Sequence, residues 1–315
     1  MNPFLFRPIY QERVWGGSAI RDKLGRADVP SGAPIGESWD IVDRDEAQSI
    51  NKDEVSLREL LLEFPEAIMG VGWLPEWRFP ILLKWLDCNA RLSLQVHPPQ
   101  EVAERLCAQP KTECWYFADT EPGAKVFAGL KAGVTVDEFE AAMNGYDVEA
   151  LVHAMSPQKG DAIFIPSGRI HAIGGGNLIL EIQQNSDTTY RVYDWGRLGL
   201  DGRPRQLHIQ ESLQSIDFED CEPELLKPVG SEQVITSNNC FDLIRKNLEP
   251  GDTLDLKAGQ PRIVSLVSGA VSGTGDLRLT KGESALFPAC ADHELAATEP
   301  TVLLVTENFN KPPID

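Results

Sequence analysis

The sequence predicts a mainly β protein with a few short helices, and three observations carry that reading. Its apolar runs are short and are punctuated by glycine and proline turn signals along all 315 residues. The stretch Leu92–His97 alternates cleanly, with Leu92, Leu94 and Val96 on one face and Ser93, Gln95 and His97 on the other. From about Pro223 to Asp315, short strands are separated by turns such as Glu249-Pro250-Gly251 and Lys281-Gly282-Glu283. That tail reads as a second small β-barrel or sandwich.

In chain order, residues 1–50 read as short irregular strands around Trp15-Gly16-Gly17 and Gly36-Glu37-Ser38-Trp39. Leu57, Leu60, Leu61 and Phe64 recur at helical spacing and predict a short helix over Val55–Phe64. Phe79–Leu86 is a compact apolar run that reads as a buried strand. Lys84 interrupts it, supporting a cavity wall or pairing with an acid. Pro98–Ala108 contains a helix. Lys111-Thr112-Glu113 leads into the strand Cys114–Phe117, with Lys111 and Glu113 on one face by the two-residue period. Val134–Met143 and Val148–Met155 predict short helices, the first with an acidic opening turn. His208–Ser215 predicts one or two helical turns after the Gly/Pro-rich loop Leu198–Arg205. The C-terminal strands are Val234–Ile235, Phe241–Leu248, Arg262–Val267, Ala285–Phe287 and Val302–Val305.

With 42% hydrophobic and 24% charged residues, the chain is ordinary globular material with room for about two domains. No apolar run approaches the roughly 20 residues that span a bilayer. The N-terminal MNPFLFRPIYQERVWGG has no basic segment followed by an apolar one, so no export signal is expected. The six cysteines (Cys88, Cys107, Cys114, Cys221, Cys240 and Cys290) are scattered, without a C-x-x-C. They point to a reducing cytoplasm and to buried small side chains rather than a disulfide framework. The net charge of −19 repels phosphate polymers and argues against nucleic acid. A small anion stays compatible wherever a cluster of cations or a metal inverts the sign inside a pocket.

Chemistry concentrates in residues 160–197, GDAIFIPSGRIHAIGGGNLILEIQQNSDTTYRVYDWGR. Gly160, Pro166, Gly168 and His171 form the pattern G-x5-P-x-G-x2-H: a turn, a short buried strand, a Pro-Gly corner, then an inward imidazole. An apolar strand carrying Glu181 follows, and then one carrying Arg191. If Asn185-Ser186-Asp187 closes a symmetric hairpin about Ser186, Glu181 and Arg191 face each other across the ladder. Buried charges need partners, so the two are either a cross-strand brace or working groups of a site.

Gln95, His97, Glu113 and His171 come from three strands and can meet in one cavity. Two imidazoles, a carboxylate and an amide oxygen suit a divalent metal; zinc is the natural choice, and other divalent ions also suit it. A strand histidine is more often a satisfied core residue than a ligand. Here two separate segments repeat the same strand-on-cavity pattern, which favours ligation. His153, on an expected surface helix, and His293, on an expected turn, carry no chemistry. Trp15 and Trp115 read as packing residues rather than sugar platforms.

The G-x5-P-x-G-x2-H element resembles the second half of the cupin metal-binding motif, and Gln95-Val96-His97 with Glu113 resembles a modified first half. Over about two thirds of the chain the resemblance is narrower, to type I mannose-6-phosphate isomerases (phosphomannose isomerases) of the short bacterial form. The matching segments are RVWGG (13–17), LLKWLDCNARLSLQVHP (82–98), PKTECWYF (110–117), GDAIFIPSGRIHAIG (160–174) and LEIQQNSDTTYRVYDWGR (180–197), in the family's order. As a fold, the resemblance implies two cupin-type (jelly-roll) β-barrels with a few short helices. Residues 1–222 would be the catalytic metal-binding cupin domain and residues 223–315 a second, cupin-like β-domain.

The resemblance further implies that Gln95, His97, Glu113 and His171 hold one zinc ion per chain. Arg191 matches the family's active-site arginine, Lys111 a lysine of the substrate site, and Ser93 and Glu181 positions lining the same pocket. Three departures stand out. Gly175 replaces the asparagine that many cupins carry after the last histidine, the segment from His97 to Glu113 exceeds the generic cupin spacing, and there is no room for the large helical insertion of longer relatives.

The implied reaction interconverts mannose 6-phosphate and fructose 6-phosphate through an enediol. A proton leaves C2 and returns at C1, so the site needs a base, a polarising charge and a phosphate anchor. Arg191, which keeps its proton, would meet enediolate charge together with the metal. Glu181 is the candidate base or relay, and Lys111 the candidate for oxygen or phosphate contacts. Ser93, Lys111 and Arg191 would bind the substrate. The expected partner is a small sugar phosphate, with neither nucleic acid nor membrane, for a cytoplasmic monomer or homodimer. A metal-containing cupin that binds a sugar phosphate without catalysis would be favoured by loss of Arg191, Lys111 or Glu181, and all three are present. An iron-dependent cupin oxygenase needs a three-histidine or two-His-one-carboxylate site with open positions, which Gln95, Lys111 and Arg191 fit poorly.

Overall fold

The computed structural model describes residues 1–145 and 147–311, so the last four residues of the expected C-terminal domain lie outside the described residues. The described residues are mainly β, as expected, and form sheets of six, five, five and four strands and a two-stranded ribbon at Asp43–Arg44 and Ala47–Gln48. Among the described residues none of these sheets closes on itself.

Two sheets, with the residues flanking their strands, carry all the candidate site residues. The first runs, in spatial order, Ile9–Gly17, Ile35–Ile41, Ile81–Cys88, Asn177–Gln184, Glu113–Thr120 and Ala162–Ile165. The second faces it and runs Tyr190–Tyr193, Leu94–Val96, His171–Ile173, Val126–Leu130 and Val152–Met155. Between them, Leu86, Trp115, Phe117, Ile163 and Ile179 of the six-stranded sheet pack against Val126, Ala128 and Ile173 of the five-stranded one. The back of the five-stranded sheet is covered by Phe139 and Met143 of the helix Val136–Gly145 and by Ile216 beside the helix Ile209–Ser215.

The back of the six-stranded sheet is also dry. Leu83, Trp85, Cys114, Tyr116, Leu180 and Ile182 pack there in one core with Phe241, Leu243, Ile263 and Leu304 from the C-terminal strands. This explains why Ile81–Cys88 is buried at every position and reads as an unbroken apolar run instead of an alternating one. The C-terminal five-stranded sheet is likewise covered on both sides. Its other face (Val264, Leu266, Phe287, Leu303, Val305) packs on Leu254, Leu256, Leu279 and Leu295 of the four-stranded sheet.

Several expected elements form with small shifts: helices at Leu57–Glu63, Gln100–Arg105 and Ile209–Ser215, and strands at Asp242–Leu248, Arg262–Ser268 and Thr301–Glu307. Ser56 and Glu59 close a reciprocal capping box at the first of these helices. Three expectations are corrected. Asn185-Ser186-Asp187 does not close a hairpin, because its polar groups pin it to the rim of the six-stranded sheet: Asn185 Nδ2 donates to the carbonyls of Asp43 and Phe79, and Ser186 Oγ to that of Gln109. The chain then crosses to the facing sheet, so Glu181 lies opposite Lys84 and Trp115 while Arg191 lies opposite Gln95.

Val148–Met155 is not a helix. A single 3-10 turn at Val148–Leu151 gives way to the edge strand Val152–Met155, which pairs with Val126–Leu130 and carries His153. His293 opens the strand His293–Ala297 opposite Leu256, where a turn was expected. Short elements with little periodicity were not anticipated, among them the helices Ala19–Leu24 and Pro65–Met69 and the strands Val126–Leu130, Thr253–Leu256 and Ala270–Gly273.

Candidate active site

Strand register builds the site. In the five-stranded sheet Gln95 lies opposite Arg191 on one side and His171 on the other, which lines up guanidinium, amide and imidazole in one row. In the facing sheet Glu181 sits between Lys84 and Trp115. The Pro-Gly corner ties the two histidine segments together: Gly168 (φ 96°) donates its N–H to the carbonyl of His97 at 2.8 Å. Ser167 Oγ accepts the N–H of Lys111 at 3.1 Å, and Gln184 Oε1 that of Thr112 at 2.8 Å. The segment leading to Glu113 is thereby fastened to the corner and to the Glu181 strand.

His97, Glu113 and His171 converge as the sequence predicted, with one donor atom from each lying within 4.8 Å of the others and all three side chains buried. Each histidine Nδ1 is 2.8 Å from a carbonyl, Thr188 O for His97 and Arg169 O for His171. A carbonyl only accepts, so Nδ1 carries the hydrogen and the Nε2 lone pair points toward the other donors, the tautomer a metal requires. The two Nε2 atoms lie 3.5 Å from different oxygens of Glu113. Burial holds both imidazoles neutral, His97 below its ordinary value and His171 down to about 3. Burial raises the Glu113 carboxyl, but Lys111 and then His97 more than offset it, and the group stays ionised well below the usual range. Glu113 Oε1 is buried without a hydrogen-bond partner. Two neutral imidazole nitrogens and a carboxylate with an orphaned oxygen fit a divalent metal.

Gln95 and Lys111 adjoin this donor set. The Gln95 amide approaches His171 Nε2 at 3.1 Å through its nitrogen, so its oxygen becomes a fourth donor only after the amide turns over. Lys111 Nζ bonds Glu113 Oε2 and lies 3.2 Å from His97 Nε2. Its buried ammonium is lowered by burial, but the charges of Glu113 and Glu181 prevail and hold it above its ordinary value.

Beside the donor set opens a cavity of about 330 Å³, the size of a site for a small polar ligand. Ser93, Gln95, Lys111, Glu181 and Arg191 all line it, so every substrate-site residue read from the sequence is brought together here. Glu181 is 3% exposed; its Oε1 accepts the indole N–H of Trp115 at 2.8 Å and its Oε2 lies 3.5 Å from Lys84 Nζ. Burial, reinforced by the charge of Glu113, raises this carboxyl. Arg191 donates to the Gln206 carbonyl at 2.8 Å, and its Nε is buried without a partner. Burial and the nearby Arg205 lower its guanidinium.

Other residues in or beside the cavity were given no site role by sequence reasoning or were assigned to packing. Arg13 binds Glu37 through two nitrogens at 3.0 and 3.1 Å, and both line the wall with Lys84. Arg205 and Arg197 share Asp194, so that three guanidiniums, with Arg191, gather around one carboxylate. His208 accepts the backbone N–H of Arg191 on Nδ1. Trp15 and Trp115 line the cavity as well as packing behind it. The signal for Arg13 lay within the RVWGG segment; Arg205 sits in an irregular loop whose spacing carries none.

Residues 4–142 match a family model described as phosphomannose isomerase type I, catalytic domain, a span that includes Gln95, His97 and Glu113. The mannose-6-phosphate isomerase ManA of Bacillus subtilis is 34% identical over 299 residues, covering 91% of this chain and 93% of that protein. The mannose-6-phosphate isomerase of Streptococcus mutans is 33% identical over 298 residues, covering 91% and 92%. The crystal structure of the Bacillus subtilis mannose 6-phosphate isomerase superposes with a TM-score of 0.83 at 28% identity, covering 97% of this chain and 99% of that one. With these likenesses running nearly the full length of both chains, and with the buried His97–Glu113–His171 set beside its cavity, the chain belongs to the type I phosphomannose isomerases.

Proposed function

We propose that this chain is a zinc-dependent isomerase that interconverts mannose 6-phosphate and fructose 6-phosphate through an enediol. One observation carries the reading: the buried His97–Glu113–His171 donor set adjoins a cavity that also holds a carboxylate of raised pKa, Glu181, and a guanidinium, Arg191, that donates to the Gln206 carbonyl. Gln95, with its amide turned, would complete the ligand set. The bound ion would supply Lewis-acid polarisation at the C1 and C2 oxygens. With an ion held there, Lys111 would be displaced from His97 and Glu113, leaving its three N–H donors for sugar oxygens.

Glu181 takes the proton from C2 and returns it to C1, while the O2 hydroxyl proton is exchanged for one on O1. A carboxyl held above its ordinary value suits both halves of that transfer. Arg191, in register with Gln95, meets the negative charge that develops between the two oxygens. The phosphate end rests near Arg205, where three guanidiniums against one Asp194 leave surplus positive charge. Ser93 Oγ, in the cavity wall, adds a contact to the sugar.

We further propose that the two facing sheets of residues 1–222 are a cupin-type barrel carrying the chemistry. Residues 223–315 would be a second cupin-like barrel that braces it, a reading supported by the separate apolar interior of the C-terminal sheets. Six unpaired cysteines support a cytoplasmic location.

The test is a coupled assay on metal-loaded protein, with mannose 6-phosphate supplied and fructose 6-phosphate detected, before and after chelation. Turnover that a chelator abolishes and zinc restores is expected, as is its loss in single substitutions of His97, Glu113, His171 and Arg191. Protein with stoichiometric metal and no turnover would overturn the reading.

A further inference from the structure

We infer that Trp115 is a positioning residue for Glu181, acting through its indole N–H and not through its bulk. The inference rests on the proposed role of Glu181 as the proton carrier. A carboxylate that must meet C2 and then C1 needs a fixed plane and one oxygen free to react. Glu181 is 3% exposed and sits in register between Trp115 and Lys84, one from each flanking strand. Trp115 Nε1 donates to Oε1 at 2.8 Å, whereas Lys84 Nζ stands 3.5 Å from Oε2, outside close hydrogen-bonding range. The two oxygens are therefore unequal: one is committed to a neutral donor, and the other is left to the reacting proton within the field of a lysine.

Trp115 is itself 1% exposed, so its donor is held by packing and has no water to turn toward. Its ring also meets His171 edge-on, with centroids 5.3 Å apart and planes at 80°. A purely structural tryptophan would act through that ring contact, on the metal ligand. A positioning one acts through the N–H, on the carboxylate. The two roles separate experimentally.

The test is a double-mutant cycle on the zinc-loaded full chain, with Trp115→Phe, Glu181→Gln and the pair. Phe keeps a ring against His171 and removes the donor. Trp115→Phe is expected to retain zinc content and to change KM less than about twofold. Its kcat should fall about tenfold or more, the scale of one hydrogen bond to a charged group. In the Glu181→Gln background the same change is expected to cost almost nothing. Exchange of the substrate C2 hydrogen with solvent deuterium, followed by NMR, should slow in step with kcat.

If Trp115→Phe fails to fold, replacement of Trp115 by 3-benzothienylalanine keeps the ring outline and deletes only the N–H, with the same expectation. Loss of zinc, unchanged kcat, or equal losses in both backgrounds would assign Trp115 to structure and overturn the inference. Wild-type turnover by Glu181→Gln would instead remove the proton-carrier role and this inference with it, while leaving the isomerase itself standing.

Discussion

Glu113→Gln should destabilise the metal-free protein far more than a change of one atom suggests. The Lys111 ammonium and the Glu113 carboxylate are 4% and 0% exposed and bonded to each other. Gln at position 113 leaves a buried ammonium facing the neutral His97 and an amide. Breaking such a pair from one side costs about 3–5 kcal/mol, because the remaining charge keeps its desolvation penalty without its partner. With a urea dependence of about 3 kcal/mol per molar, the midpoint of chelator-treated protein should fall by about 1 M or more. The double variant Lys111→Met, Glu113→Gln removes both charges and should recover more than half of that loss. The assay is urea unfolding of wild type, the single variants Glu113→Gln and Lys111→Met, and the double variant after chelation, followed by circular dichroism. A Glu113→Gln midpoint within about 0.3 M of wild type, or strictly additive losses, would refute the buried ion pair.

Arg205→Gln should raise KM for the phosphorylated sugar about tenfold with kcat largely kept, since it removes one phosphate donor away from the reacting carbons; an unchanged KM in steady-state kinetics would contradict the phosphate assignment. Burial raises Glu37, but Lys84 and then Arg13 overcome it and hold the carboxyl down to about 2. A depressed carboxyl contributes stability above its ordinary value near 4.5, and that contribution is lost as pH falls from there toward 2. Wild type should therefore exceed Glu37→Gln by about 3 kcal/mol at neutral pH, with the gap closing between about pH 4.5 and 2 in acid titrations of folding.

What the sequence made legible follows from where information is local. The candidate ligands His97, Glu113 and His171 sit on short segments whose period and corner residues aim each side chain, so their convergence could be read in one dimension. The same period placed Lys111 beside Glu113. Register between distant strands is not local. Glu181 and Arg191 were expected to face each other because ten residues and a turn separate them. The side-chain bonds of Asn185 and Ser186 send the second strand to another sheet, and no pattern in the sequence records those partners. Arg205, in an irregular loop, was out of reach for a similar reason, while Arg13 lay within the RVWGG segment but had no local pattern to aim it at the cavity. Val148–Met155 failed differently: eight residues are too few for helical and strand periods to separate, and the edge of an existing sheet decided the outcome.

The six-stranded sheet is walled on both sides, by the candidate site's cavity in front and by the C-terminal strands behind. A gene cut after residue 222 would turn Leu83, Trp85, Tyr116, Leu180 and Ile182 toward water, and its product would fail by aggregation well before any deficit in catalysis could be measured. Material can be added at the enzyme's loops, but the C-terminal strands cannot be trimmed away, and efforts to shrink the catalyst should redesign the back of that sheet before removing what covers it.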